Sequence, residues 1–222
     1  MTLIFDLDGT LVDTAPDLLA ALNATLIHAG RSPVRPEDLR HLVGHGARIM
    51  LEHAFQMTGA PVEQDRLNEL LTWYIARYKA NIAVSSCPFA GVEATLRTLR
   101  ADGARLAVLT NKPQELTDPL MQALGMTEMF DAIWGAGRMS YTKPDARIFR
   151  DVVRDAAGED FDPTRAIMVG DSITDLQTGR AAGAKVILVN YGYTPEPAET
   201  LGGDVVTGDF TQIPTLARAL LA

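Results

Sequence analysis

The sequence predicts an α/β protein with a mainly parallel sheet and one inserted helical segment. Three observations carry that prediction. Short apolar runs at Leu3-Ile4-Phe5, 106–109, 132–134, 167–169 and 186–189 alternate with helical patterns from residue 88 onward, as βαβ units with right-handed crossovers do. Residues 14–81, by contrast, carry helical periodicity alone. Acids stand within three residues of the ends of two apolar runs, Asp6 and Asp8 after the first and Asp171, past Gly170, after the fourth, and ligands of open α/β sheets bind at the carboxyl ends of strands.

Each element follows from its own pattern. Leu3-Ile4-Phe5 reads as a strand buried on both faces. Thr14-Ala15-Pro16-Asp17 has a capping-box pattern with proline in the first turn, and Leu18, Leu22 and Leu26 share one face of a helix that ends near Gly30. A second helix is expected over Ala47 to Gln56. The third is the clearest, with Leu67, Leu70, Leu71, Tyr74, Ile75 and Tyr78 at spacings of three and four. Pro88-Phe89-Ala90-Gly91 then forms a turn that opens a helix bearing Val92, Leu96 and Leu99. The first strand belongs with the later ones, so the helical stretch is an insertion hanging over the acidic strand end. The expected division is residues 1–13 and 82–222 for the sheet domain and 14–81 for the insertion.

Composition narrows the function. A formal charge of −8 over 222 residues argues against a nucleic-acid groove, which needs clustered Lys and Arg. No apolar stretch is long enough to span a bilayer, and no basic region precedes an apolar one at the start, so a cytoplasmic protein without membrane partners is expected. The single cysteine, Cys87, agrees with a reducing compartment.

Asp6 and Asp8 are two apart in an extended segment, so both carboxylates can face one ligand. Their mutual repulsion is relieved by a bound divalent cation, and hard oxygen donors suit Mg²⁺. Gly9 lets the backbone turn there. Taken alone, a solvated Asp-Gly turn explains the same residues. Other strand ends carry polar groups too. Thr110 and Asn111 follow the second run, where either could cap a helix. Lys143 precedes a helix with Ile148, Phe149, Val152 and Val153. Gly170-Asp171-Ser172-Ile173-Thr174-Asp175 repeats the acidic ending, with Ser172 and Asp175 spaced as a capping box.

Asp6-Leu7-Asp8-Gly9-Thr10, Thr110-Asn111, Lys143-Pro144 and Gly170 to Asp175, in that order, resemble the four motifs of the haloacid dehalogenase-like hydrolases. Gly44-His45-Gly46-Ala47, Thr110-Asn111-Lys112-Pro113 and Tyr191-Gly192-Tyr193 make the chain most similar to the phosphoglycolate phosphatase branch. The resemblance implies a three-layer Rossmann-like core with strand order 3-2-1-4-5, a helical cap over residues 14–81, and a Mg²⁺-dependent phosphatase. Asp6 would be the nucleophile that forms an aspartyl-phosphate, and Asp8 the general acid and base. Mg²⁺ would be held by Asp6, by the backbone carbonyl of Asp8 and by Asp171. Thr110, Asn111 and Lys143 would bind the transferring oxygens, with Gly9 beside them, while Asp175 and Ser172 orient these groups. One departure is Pro144-Asp145-Ala146, where the family often has a second proline.

The cap is expected to set specificity, through backbone donors and His45 in the loop from Val43 to Arg48 and through Arg48 gripping a carboxylate. The alternative is a glycine turn with Arg48 solvated. His28, His41 and His53 have no metal-like grouping and are read as surface or packing residues, Trp73 and Trp134 as core, and Asp13 as a residue where the chain enters the first helix. By resemblance the substrate is a small phosphorylated metabolite, 2-phosphoglycolate first, and the protein a monomer or homodimer. A sugar-phosphate phosphatase, a phosphosugar mutase and a non-catalytic phosphometabolite-binding module are the competing readings. Asp8 speaks against dehalogenase chemistry, and the lack of lysine from Thr14 to Tyr78 against phosphonate cleavage.

Overall fold

The computed structural model describes residues 1–43, 46–159 and 161–222. Its centre is β1 (Thr2–Phe5), every residue of which is buried. The chain then runs through β2 (Val12–Asp13), α1 (Ala15–His28), α2 (Ala47–Met57), α3 (Gln64–Lys79) and β3 (Cys87–Pro88). Next come α4 (Val92–Ala101), β4 (Arg105–Pro113), α5 (Gln114–Ala123), β5 (Ala132–Ala136), α6 (Ala146–Ala157) and β6 (Ala166–Gly170). It finishes with α7 (Ile173–Ala182), β7 (Lys185–Val189), α8 (Ala198–Leu201), β8 (Val205–Thr207) and α9 (Ile213–Leu221).

Six of the strands form one sheet in the order β5-β4-β1-β6-β7-β8, all neighbours parallel. This contains the expected order and adds β8, whose three residues follow Gly202-Gly203 and give too short a pattern to read. Alternation along β1 divides the core into layers. Leu3 and Phe5 pack with Val92, Leu96 and Leu99 of α4 and Ile213 of α9. Ile4, between them, packs with Ile148, Phe149 and Val152 of α6 and Leu176 of α7. Fully burying one such side chain contributes about 1.5–3 kcal/mol, so helices on both faces hold the sheet rigid beneath its carboxyl edge.

Helices α1, α2 and α3 bury a third cluster, built from Leu22, Leu26, Leu51, Phe55, Leu67, Leu70, Tyr74 and Tyr78 and reached from the sheet side by Leu116. The strands β2 and β3 pair antiparallel at the root of this segment, Val12 opposite Pro88 and Asp13 opposite Cys87. Asp17, buried in the first turn of α1, accepts bonds from both Ser85 and Ser86 N–H groups and from Ser86 Oγ at 2.7–3.1 Å, tying the outgoing chain to the returning one. His28 stacks on Trp73 at 4.8 Å, and Trp134 is in the core.

Two helix starts differ from the sequence reading. Thr14 does not cap α1 with its side chain; Asp8 Oδ1 takes the hydroxyl instead, at 2.7 Å. Helix α6 needs no second proline, because the Asp145 side chain accepts from Arg147 N at 2.8 Å and caps it. None of the helices is long and apolar enough to cross a membrane, among the described residues.

Candidate active site

Asp6 continues β1 by one residue, its N–H donating to Val169 O at 2.9 Å, which brings it level with the end of β6. That pairing sets Asp6 and Asp171 side by side. The turn after Asp8 must pass very close to Asp171: Gly9 has φ +81°, and a Cβ there would lie 2.7 Å from Asp171 Oδ2. Gly192 makes the same approach from the other side, where a Cβ would stand 2.3 Å from Asp171 Oδ2. Glycine is required at Gly9 on both counts, conformation and space.

Lys143 stands at the centre of the buried charges. Its ammonium is 2.9 Å from Asp6 Oδ1 and 2.6 Å from Asp175 Oδ1, with 2% of the side chain exposed. Asn111 fixes its main chain from both sides, accepting from Lys143 N at 3.1 Å and donating to Lys143 O at 3.2 Å. The Asn111 side chain, expected on substrate oxygens and lining the cavity, thus also positions the lysine backbone. Thr110 is buried in β4 and accepts from Lys112 N, so neither it nor Asn111 caps α5, which begins at Gln114. Ser172 and Asp175 do form the capping box of α7. Asp175 Oδ2 accepts from Ser172 N and Oγ at 3.1 and 2.7 Å, leaving Oδ1 for Lys143.

Asp171 accepts from Thr10 Oγ1 at 3.1 Å and Tyr193 N at 2.7 Å. Asp8 faces different partners, both oxygens meeting Lys112 Nζ at 2.9 and 3.0 Å. Lys112 is the residue that sequence reasoning left without a role. Its ammonium lies 4.7 Å over the Tyr78 ring, and 3% of its side chain is exposed. The signal was present in Thr110-Asn111-Lys112-Pro113, but strand alternation alone does not show that Lys112 reaches back to Asp8.

The electrostatics are those of too many acids for two lysines. Burial, reinforced by Asp175 and Asp8 and opposed by Lys143, raises the Asp6 carboxyl to about 7. Burial and the charges of Asp175 and Asp6 raise Asp171 to about 8. Burial works against the Lys143 charge, yet Asp175 and Asp6 together push the ammonium upward, so it stays charged. Asp6, Asp171 and Asp175 each present an oxygen, and these atoms lie within 4.8 Å of one another. Asp6 Oδ1 is buried and receives no well-oriented hydrogen bond among the described residues. An all-oxygen, charge-rich donor set of three clustered carboxylates fits a hard divalent cation. The Asp8 carboxylate is outside this set, held by Lys112.

Above these groups is a cavity of about 240 Å³. Asp6, Asp8, Thr110, Lys143 and Asp171 line its floor, and Leu18, Met50, Tyr74 and Tyr78 of the inserted helices form its roof. Arg48 is not brought there: it is exposed, and its Nη2 donates to Asn68 Oδ1 at 2.6 Å. His45 lies outside the described residues. Asp13 is held at the start of α1 by the Tyr193 hydroxyl at 2.7 Å.

The chain is 43% identical over 220 residues to a phosphoglycolate phosphatase of Caulobacter vibrioides, covering 99% of this chain and 92% of that one. It is 42% identical to a phosphoglycolate phosphatase of Agrobacterium fabrum, covering 99% and 93%. The crystal structure of a predicted phosphoglycolate phosphatase from Haemophilus somnus superposes with a TM-score of 0.90 at 27% identity, covering 97% of this chain and 96% of that one. The family profile described as haloacid dehalogenase-like hydrolase matches residues 3–189, from β1 through β7 and so across every strand that carries the site. With the family's acids, its lysine and its sheet all in place over that span, the chain belongs to the haloacid dehalogenase-like hydrolases.

Proposed function

We propose that this chain, a phosphoric monoester hydrolase, is a Mg²⁺-dependent phosphatase that works through an aspartyl-phosphate on a small phosphorylated metabolite, with 2-phosphoglycolate the leading substrate. The observation that carries the chemistry is the division of labour between two acids on one strand end. Asp6 Oδ1 is 2.9 Å from Lys143 on the cavity floor, while Asp8, also lining the cavity, is held separately by Lys112. The substrate rests on the names of the full-length relatives.

In this reading an Asp6 oxygen attacks phosphorus, the bond to the ester oxygen breaks, and Asp8 gives that oxygen a proton. Water then attacks phosphorus of the aspartyl-phosphate, Asp8 takes its proton, and inorganic phosphate leaves with Asp6 restored. Thr110 and Lys143 bind the transferring oxygens, where preorganised donors act most strongly. Asn111 keeps Lys143 in place, and Asp175 with Ser172 orients it. Asp6 and Asp171 would hold Mg²⁺, together with the Asp8 backbone carbonyl. The ion would supply positive charge where phosphate meets carboxylate. Residues 14–81 act as a cap that excludes water, over a catalytic domain of residues 1–13 and 82–222. A cytoplasmic location belongs to the same reading, supported by the lone Cys87.

The test is phosphate release with Mg²⁺ from a panel of phosphorylated metabolites, including 2-phosphoglycolate and several sugar phosphates, with Asp6→Asn and chelated controls. Preference for 2-phosphoglycolate, lost in both controls, is expected. Activity spread over sugar phosphates would discard the substrate; an isomerised phosphosugar with no free phosphate would replace the reaction by a mutase.

A further inference from the structure

We infer that Lys112 is a specificity-determining residue whose ammonium binds the anionic group that the proposed substrate carries one carbon from the ester oxygen. The inference rests on the proposed roles of Asp6 and Asp8, and it names what reads the part of the substrate that does not react.

Placement is the first argument. If Asp8 protonates the ester oxygen, the atoms attached to that oxygen lie beside the Asp8 carboxylate, and Lys112 Nζ is 2.9 Å from one of its oxygens and 3.0 Å from the other. A carboxylate one carbon away is therefore delivered to Lys112. Charge is the second. Among the described residues lining the cavity, the cations are Lys112 and Lys143, and Lys143, beside Asp6, is already assigned to the transferring oxygens. An ammonium has three donors. Asp8 accepts two from Lys112, and the third meets no acceptor among the described residues.

The surroundings strengthen both. Tyr74 and Tyr78 stack 6.0 Å apart on α3 and wall the ammonium from solvent on the cap side. A charge so enclosed interacts far more strongly than one in water. Tyr78, whose ring lies against Lys112, also carries a buried hydroxyl with no hydrogen-bond partner among the described residues. Arg48, the other candidate for a carboxylate, points to Asn68 on the exposed side.

The competing role for Lys112 is simply to neutralise Asp8, and the experiment separates the two. Steady-state kinetics would compare 2-phosphoglycolate with its neutral amide in the wild-type enzyme, Lys112→Gln and Lys112→Arg. A lysine that only neutralises Asp8 lowers kcat on both substrates in Lys112→Gln and leaves their ratio alone. A lysine that reads the carboxylate gives a wild-type preference in kcat/KM of about tenfold or more, carried mainly by KM, which falls toward parity in Lys112→Gln and partly survives in Lys112→Arg. An unchanged ratio in folded Lys112→Gln overturns the inference and leaves the phosphatase standing. Equal wild-type use of acid and amide overturns it without any variant. Absence of phosphate release from every ester by the wild-type enzyme would instead remove the reading on which it rests.

Discussion

Tyr193 touches Asp171 with one end and the root of the inserted helices with the other. Its N–H donates to Asp171 Oδ2 at 2.7 Å, and its hydroxyl accepts from Thr14 N and Ala15 N at 2.7 and 2.9 Å while donating to Asp13 Oδ1. One residue thus joins the acid cluster to the point where the chain leaves the sheet. Tyr193→Phe keeps the N–H and loses the hydroxyl contacts, so we expect KM to rise about 3–10-fold with Mg²⁺ affinity changed less than twofold. Gly192→Ala is expected to do the reverse, lowering Mg²⁺ affinity about 10–100-fold, because its Cβ would collide with Asp171. Metal titrations of activity alongside substrate titrations would show it; equal effects of both variants on both constants would contradict it.

Lys143→Met removes the cation shared by Asp6 and Asp175 and leaves two buried carboxylates facing each other. We expect a loss of about 3–5 kcal/mol in chemical denaturation without metal, together with loss of turnover. A denaturation midpoint equal to that of the wild type would mean that the pair is not a structural necessity.

Metal and pH should act together. Asp6 and Asp171 are raised from 3.8 to about 7 and about 8, so between about pH 4 and 8 the folded protein binds more protons than the unfolded chain. Without metal these two groups therefore lower stability as pH rises across that window. A divalent cation needs both deprotonated, and its stabilisation grows over the same range. Acids away from the site, such as Asp145, titrate alike with and without metal and cancel in the difference. The rise in thermal midpoint on adding Mg²⁺ is expected to be larger at pH 8 than at pH 5; an equal rise at both would refute the site.

Asp17→Ala strips the acceptor from Ser85 N, Ser86 N and Ser86 Oγ at a buried position. The expected cost is about 2–3 kcal/mol, and Asp17→Asn, which keeps one acceptor oxygen, should recover part of it. Denaturant unfolding of the two variants measures this directly.

By itself, the sequence determined the strand that ends in Asp6 and Asp8, the parallel sheet, the helical insertion and the capping box of Ser172 and Asp175. These rest on local periodicity, and local periodicity is written residue by residue. The family resemblance added the gathering of Asp6, Lys143, Asp171 and Asp175 at one sheet edge. What only the tertiary structure decided is which side chain meets which. Thr14 left its expected cap for Asp8 in the preceding turn, Asn111 took up the Lys143 backbone 32 residues on, and Arg48 went to Asn68 across a helix pair. Lys112 reaches Asp8 across 104 residues of chain. No pattern within either segment carries that distance, because the pairing exists only once β1 and β4 lie side by side and Tyr78 closes over the ammonium.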